Sequence, residues 1–332
     1  MLTMEHRILG RTGLRVSEIG FGCGNVGGLI IRGTQGERVE AVKRAVELGI
    51  NYFDTAPSYG DGRSETNLGR VLDELQPDVV VATKVRIGGE DLKDIEGAVE
   101  RSLEKSLARL KLDSVDVFQL HSRIAMERDG EGWRGSLSID DVLGENGVAD
   151  AFEAMRSRGL VRFIGFTGLG EAEALHMVVD SDRFDVVQAY FNLLNPSAGW
   201  DVPYGFRGYD FGRLIDGAAE RGMGVAAIRV MAAGAIGGKK ARRGYAAPYV
   251  RGPMVPGGEY GEDEDRASQL DFLVEGDVES LPQAAVRFVL MHMGVSVVLV
   301  GFSDLGQVEE AAACSGRGPL PEASMERLRG LW

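Results

Sequence analysis

Helical stripes and short apolar runs alternate along this chain. From Glu37 to Leu48, Val39, Val42, Ala45 and Val46 recur at helical spacing, Gly49 stops the helix, and Ile50 to Asp54 reads as a strand. Leu68, Val71, Leu72 and Leu75 make the next stripe and Val79 to Lys84 the next strand; Ile95, Ala98, Val99, Leu103, Leu107 and Leu110 then precede Val115 to Leu120. Further helices are expected around Val148 to Arg158, near Glu171 to Val179, over Leu214 to Arg221, and over Leu281 to Met291, opened by Pro282. They lead into strands at Val161 to Thr167, Asp185 to Ala189, Gly224 to Ile228 and Val295 to Val300. With a first strand at Glu18 to Gly22 there are about eight strand–helix units, the number in a (β/α)8 barrel. Strands separated by helices pair in parallel, so the pattern predicts an α/β fold of TIM-barrel type. No linker rich in Pro or Ser divides residues 1–332, which read as one domain.

Three stretches break the rhythm: Ser122–Ile139, Pro196–Tyr209 and Gly237–Asp265. Each follows a strand, which in a barrel places it at the C-terminal face, where substrate loops gather. The third carries Lys239, Lys240, Arg242 and Arg243 and then Glu259, Glu262, Asp263, Glu264 and Asp265, and reads as a mobile, solvated loop. Over the whole chain 37 Lys+Arg face 50 Asp+Glu, a net charge of -13, which disfavours a phosphate-tracking surface and a nucleic-acid partner. The start, Met1 to Arg7, has no apolar signal core and no apolar run is long enough to span a bilayer, so a cytoplasmic protein without a membrane partner is expected. Cys23 and Cys314 are too far apart in sequence to suggest a disulfide framework, and His6, His176 and His292 lack partners at metal-ligand spacing, so no metal site is indicated.

Gly22-Cys-Gly-Asn-Val-Gly27 matches the dinucleotide pattern G-x-G-x-x-G, but Gly28 to Gly36 intervene before the helix and Asp54 lies too far on, so a Rossmann site is a weak reading. The segment Phe53-Asp-Thr-Ala-Pro-Ser-Tyr-Gly60, followed by Ser64-Glu65 and Leu68-Gly69, is far more specific. Together with Leu9 to Leu14, Val16 to Gly22, Thr83-Lys84 and Gln119-Leu-His121, it resembles the aldo-keto reductase superfamily over nearly the whole chain. The resemblance extends to bacterial-type members that include aldose 1-dehydrogenases.

That resemblance implies a short hairpin near Arg7 to Ser17 over the barrel bottom and a catalytic tetrad of Asp54, Tyr59, Lys84 and His121 at its top. The strand reading agrees, because Asp54, Lys84 and His121 fall at or just after strand C-terminal ends. A tyrosine ordinarily titrates near 10, so Lys84 is expected to lower the phenol while Asp54 holds the ammonium. His121 would then orient a carbonyl, Tyr59 would protonate the alkoxide, and a nicotinamide would supply the hydride.

Cofactor positions implied by the resemblance are Gly22, Cys23 and Gly24 beside the cofactor, with Asp54, and Thr167 and Gln188 on the nicotinamide carboxamide; Cys23 there reads as a small packing residue. Ile228 stands where many members have a stacking aromatic, and Arg229 faces the pyrophosphate or forms a structural ion pair. Gly301, Ser303, Gln307 and Glu310 match the adenosine-binding segment. The resemblance favours NADP, with NAD possible because Asp304 would oppose a 2'-phosphate. Arg123, Trp133, Trp200 and Tyr204, with Phe206 and Tyr209, are expected to shape a pocket for a small carbonyl or sugar-like substrate. The same resemblance also admits a cofactor-binding redox sensor with little turnover.

Overall fold

Thr34 opens the first long helix, α1 (Gln35–Glu47), with a reciprocal cap: its hydroxyl accepts from Glu37 N at 3.4 Å while the Glu37 carboxylate accepts from Thr34 N at 2.8 Å. One face of α1 buries Ala41, Val42 and Ala45, and Gly49 at φ +92° turns the chain into the next strand. The same unit repeats through the computed structural model, which describes residues 4–237, 244–247 and 254–332.

Eight strands, β1 (Ile19–Gly22), β2 (Tyr52–Asp54), β3 (Val80–Val85), β4 (Val115–Leu120), β5 (Val161–Gly168), β6 (Val186–Tyr190), β7 (Gly224–Ile228) and β8 (Val297–Gly301), pair in parallel in chain order. The barrel closes where β8 returns to β1, with Gly301 opposite Gly22. After α1 the strands are followed in turn by α2 (Arg63–Leu75), α3 (Ile95–Leu110), α4 (Val148–Ser157), α5 (Ala172–Asp180), α6 (Leu214–Glu220), α7 (Leu281–Leu290) and α8 (Leu305–Ala312). This is the (β/α)8 barrel expected from the alternation.

Two apolar zones hold it together. Between helices and strands lies the larger one; inside the barrel, Tyr52, Val80, Ala82, Val117, Val186, Ala226, Val297 and Leu299 form a second. The hairpin strands His6–Ile8 and Arg15–Ser17 pair antiparallel, and Leu9 between them is fully buried in the interior cluster, closing the end where the strands begin. Gly10 allows that closure, since a Cβ there would lie 2.2 Å from Gly224 N.

Part of the motif that carries the resemblance serves this scaffold. Glu65 is fully buried, accepting from Thr83 Oγ1 at 2.6 Å and Arg109 Nε at 2.7 Å, so it ties α2 to β3 and α3. Gly69 lets α2 and α3 close, because a Cβ would meet Arg109 O at 2.4 Å. One expectation is corrected: Tyr260–Ala267 is a helix rather than a solvated loop, and Asp263 within it is 1% exposed and accepts from Met254 N at 2.8 Å. Lys239, Lys240, Arg242 and Arg243 lie outside the described residues. Among the described residues no helix is long and apolar enough to cross a membrane.

Candidate active site

Inward-facing positions change from apolar to polar as the strands rise. Tyr52 gives way to Asp54 on β2, Ala82 to Lys84 on β3, Val117 to Gln119 on β4 and Val186 to Gln188 on β6. Lys84 has no solvent exposure, and its Nζ donates to Asp54 Oδ1 at 2.5 Å, Thr55 O at 2.8 Å and Tyr59 Oη at 3.4 Å. Asp54 Oδ2 accepts from Gln188 Nε2 at 2.6 Å and Gln119 Nε2 at 3.4 Å. The buried ion pair is thus hydrogen-bonded on both partners, the condition under which such a pair is tolerated. The Tyr59 ring stands edge-on to His121, centroids 5.7 Å apart, and Gly60 N donates to Asn25 Oδ1 at 2.9 Å, fixing the loop that carries Tyr59.

The electrostatics depart from expectation in one respect. Burial pushes the Tyr59 phenol up; Lys84 opposes this and Asp54 adds to it, and the net direction is upward. In the protein alone, burial therefore outweighs the cation that was expected to lower the phenol. Burial alone would lower Lys84, but Asp54 and Tyr59 more than offset it and hold the ammonium charged. His121 is driven well below the usual histidine value by burial, then by Lys84 and Arg86, which leaves a neutral imidazole.

Above this cluster opens a cavity of about 920 Å³. Tyr59, His121, Arg123 and Trp133 line it, as do Asp54, Thr167, Gln188, Ile228 and Arg229, and Gly301, Ser303, Gln307 and Glu310. Gly22 and Gly24 line it on the β1 side, and a Cβ on Gly24 would lie 3.7 Å from the Tyr59 ring. Ala246 and Ala247 also line it, with Ala247 N donating to Val26 O at 2.8 Å.

Three expected positions fall elsewhere. Cys23 packs in the core beneath the wall, where burial raises its thiol, while Ser64 Oγ donates to its carbonyl at 2.8 Å. Trp200 packs edge-on against His292, 5.6 Å between centroids, outside the cavity, and Tyr204 is fully exposed at the loop tip. The loop returns because Asn195 Nδ2 and Ser197 Oγ donate to Tyr209 O at 2.9 and 2.8 Å, so Tyr209, tilted against Trp133 with centroids 4.7 Å apart, is the aromatic of that stretch that reaches the wall. Asp304 is engaged as the cap of α8, Oδ1 accepting from Gln307 N at 2.9 Å. Arg86, Tyr190, Asn195 and Met254 line the cavity without having been singled out in the sequence; for Arg86 the available signal was its place two residues beyond Lys84.

Whether a nucleotide suits this cavity can be tested on the wall itself. Thr167 Oγ1 is buried in the cavity lining with no hydrogen-bond partner among the described residues, so a polar group bound there could satisfy it. Gly27 packs so closely on β8 that a Cβ would meet Phe302 N at 2.4 Å, which keeps the floor of the long arm as bare backbone. The residues present fit an extended dinucleotide.

The Aldo/keto reductase family model matches residues 18–332. L-galactose dehydrogenase of Arabidopsis thaliana is 30% identical over 94% of this chain and 88% of its own length. D-threo-aldose 1-dehydrogenase of a Pseudomonas species is 27% identical over 96% of this chain and 93% of its own. Among solved structures, an aldo/keto reductase from Klebsiella pneumoniae in complex with NADP and acetate superposes with a TM-score of 0.67 at 19% identity, covering 100% of this chain and 96% of that one. A closed parallel barrel with chemistry at its strand ends is thus joined to a sequence match over most of its length. The chain belongs to the aldo/keto reductase family, a family of oxidoreductases.

Proposed function

We propose that the protein is an NADP(H)-dependent oxidoreductase, able to use NAD(H) less well, that interconverts a carbonyl and an alcohol, with aldoses and their lactones as the working substrate class. The observation that carries this reading is the convergence of Lys84 Nζ on both Asp54 Oδ1 and Tyr59 Oη beneath a long cavity. The names of the two dehydrogenase relatives support the substrate class, and the NADP complex of the Klebsiella structure supports the cofactor. Residues 1–332 then act as one domain, and the two free, buried cysteines suit a cytoplasmic setting.

A nicotinamide nucleotide, when bound, supplies the hydride that no side chain can carry. Thr167 and Gln188 would hold its carboxamide, with Gly22 and Gly24 beside it and Ile228 giving aliphatic packing in place of a stacked ring. Arg229 would meet the pyrophosphate, and Gly301, Ser303, Gln307 and Glu310 the adenosine end. During reduction Tyr59 Oη donates its proton to the carbonyl oxygen as charge builds there. Lys84 stabilises the phenolate left behind, and Asp54 keeps Lys84 charged and in place. Neutral His121 donates an N–H to the same oxygen and sets its direction. In oxidation Tyr59 Oη takes the proton instead.

Fluorescence titration with NADPH and NADH, followed by an absorbance screen of aldehydes, ketones and aldoses, tests the reading. Tighter NADPH binding with turnover is expected; no binding of either nucleotide overturns it.

A further inference from the structure

Two arginines line the cavity that holds the reacting groups, and nothing in the proposed mechanism uses them. Arg86 lies two residues beyond Lys84 and Arg123 two beyond His121, and both line the cavity beside Tyr59 and His121. Their loops are locked together from behind: Ser122 and Ile87 are buried, Ile87 N donates to Ser122 Oγ at 2.9 Å, and Ser122 Oγ donates to Ile87 O at 2.7 Å. With Ile87 and Ser122 held inward to the core, Arg86 and Arg123 are left on the cavity side.

Neither guanidinium forms an ion pair among the described residues; Arg123 donates only to Arg134 O, at 3.3 Å. The carboxylates lining the cavity are Asp54, committed to Lys84, and Glu310 at the adenosine end, which accepts from Ser280 Oγ at 2.5 Å. Asp129 and Glu131 share a shallower basin with Arg123 outside the mouth, but neither pairs with it. A protein of net charge -13 thus lines this cavity with two cations that have no ion-pair partner among the described residues.

We propose that this rim binds an anionic group on the substrate, so that the enzyme acts on a carbonyl compound carrying a carboxylate or a phosphate ester away from the reacting carbon. The inference rests on the oxidoreductase reading above and narrows its substrate class. A guanidinium can match two oxygens of either group, and each charge-assisted contact lowers KM more than it raises kcat.

The test compares matched pairs with NADPH: 4-formylbenzoate against its methyl ester for the carboxylate, and glyceraldehyde 3-phosphate against glyceraldehyde for the phosphate. In at least one pair the anion is expected to be favoured about tenfold in kcat/KM, with that ratio falling several-fold in Arg86→Gln and in Arg123→Gln. Equal rates within both pairs, or a preference that neither variant changes, would overturn the proposal. If none of the four compounds is turned over, the nucleotide titration above decides the activity reading, and calorimetric titration of both anions reads the rim by itself. Binding that is lost in the Arg86→Gln, Arg123→Gln double variant supports it, whereas no binding, or binding equal in both proteins, overturns it.

Discussion

Asp54 does two things at once: it neutralises a lysine with no solvent exposure, and it anchors Gln188 at the cavity wall. Asp54→Asn should therefore destabilise the fold by about 3–5 kcal/mol, because it leaves the buried ammonium without a counter-charge. Urea unfolding measures this, and a loss under about 1 kcal/mol would show that water already reaches the pair. The upward shift of the Tyr59 phenol sets the pH dependence. Tyr59 stays protonated through neutral pH, so reduction should be nearly flat with pH. Oxidation, which needs the deprotonated oxygen, should rise by up to about tenfold per pH unit until the phenol titrates. Paired initial-rate profiles check both directions. These residues were legible in the sequence because the motifs around Phe53–Gly60, Thr83-Lys84 and Gln119–His121 resemble the aldo-keto reductase superfamily, and the strand reading agrees by putting Asp54, Lys84 and His121 at or just after strand ends, where a barrel gathers its chemistry. Arg86 was not singled out, since its place two residues beyond Lys84 does not say which way it faces until the lock between Ile87 and Ser122 is seen.

Among the elements, the hairpin shows most clearly how a local sequence shapes the whole. Leu9 is fully buried against residues from several strands, so Leu9→Ala should cost about 2–5 kcal/mol by leaving a cavity at the barrel bottom. Thermal unfolding of the variant reads that loss, and a melting temperature equal to the wild type would mean the barrel closes without its plug. Helices were legible because burial on one face imposes their period, and strands because burial on both faces makes them short apolar runs; most observed ends lie within a few residues of the expected ones. The helix Tyr260–Ala267 was missed because its sequence, YGEDEDRA, offers almost no apolar stripe; its inward face includes the buried carboxylate of Asp263. Trp200 and Tyr204 were misplaced for the opposite reason. Their aromatic character suggested a pocket, but whether a loop points its tip inward or outward depends on bonds such as those from Asn195 and Ser197 to Tyr209, far along the chain.

For the molecule as a whole, two buried histidines contribute to how stability responds to mild acid. Burial lowers His121 well below the ordinary 6.5 and lowers His292 in the same direction. Below pH 6.5 the unfolded chain takes up protons that the folded one refuses. Their contribution is therefore complete above that pH and is lost as the pH falls, by up to about 1.4 kcal/mol per unit for each group. His121→Asn should flatten the slope of unfolding free energy against pH between about 5 and 6.5. An unchanged slope in urea titrations would show that His121 is solvated. The central claim is that Tyr59, tuned by Lys84, moves the proton that accompanies hydride transfer. Single-turnover oxidation of bound NADPH by an accepted aldehyde, in wild type and Tyr59→Phe, tests it most directly. Tyr59→Phe is expected to bind NADPH as the wild type does and to react about 10²–10⁴ times more slowly; wild-type rates in the variant would contradict that role for Tyr59.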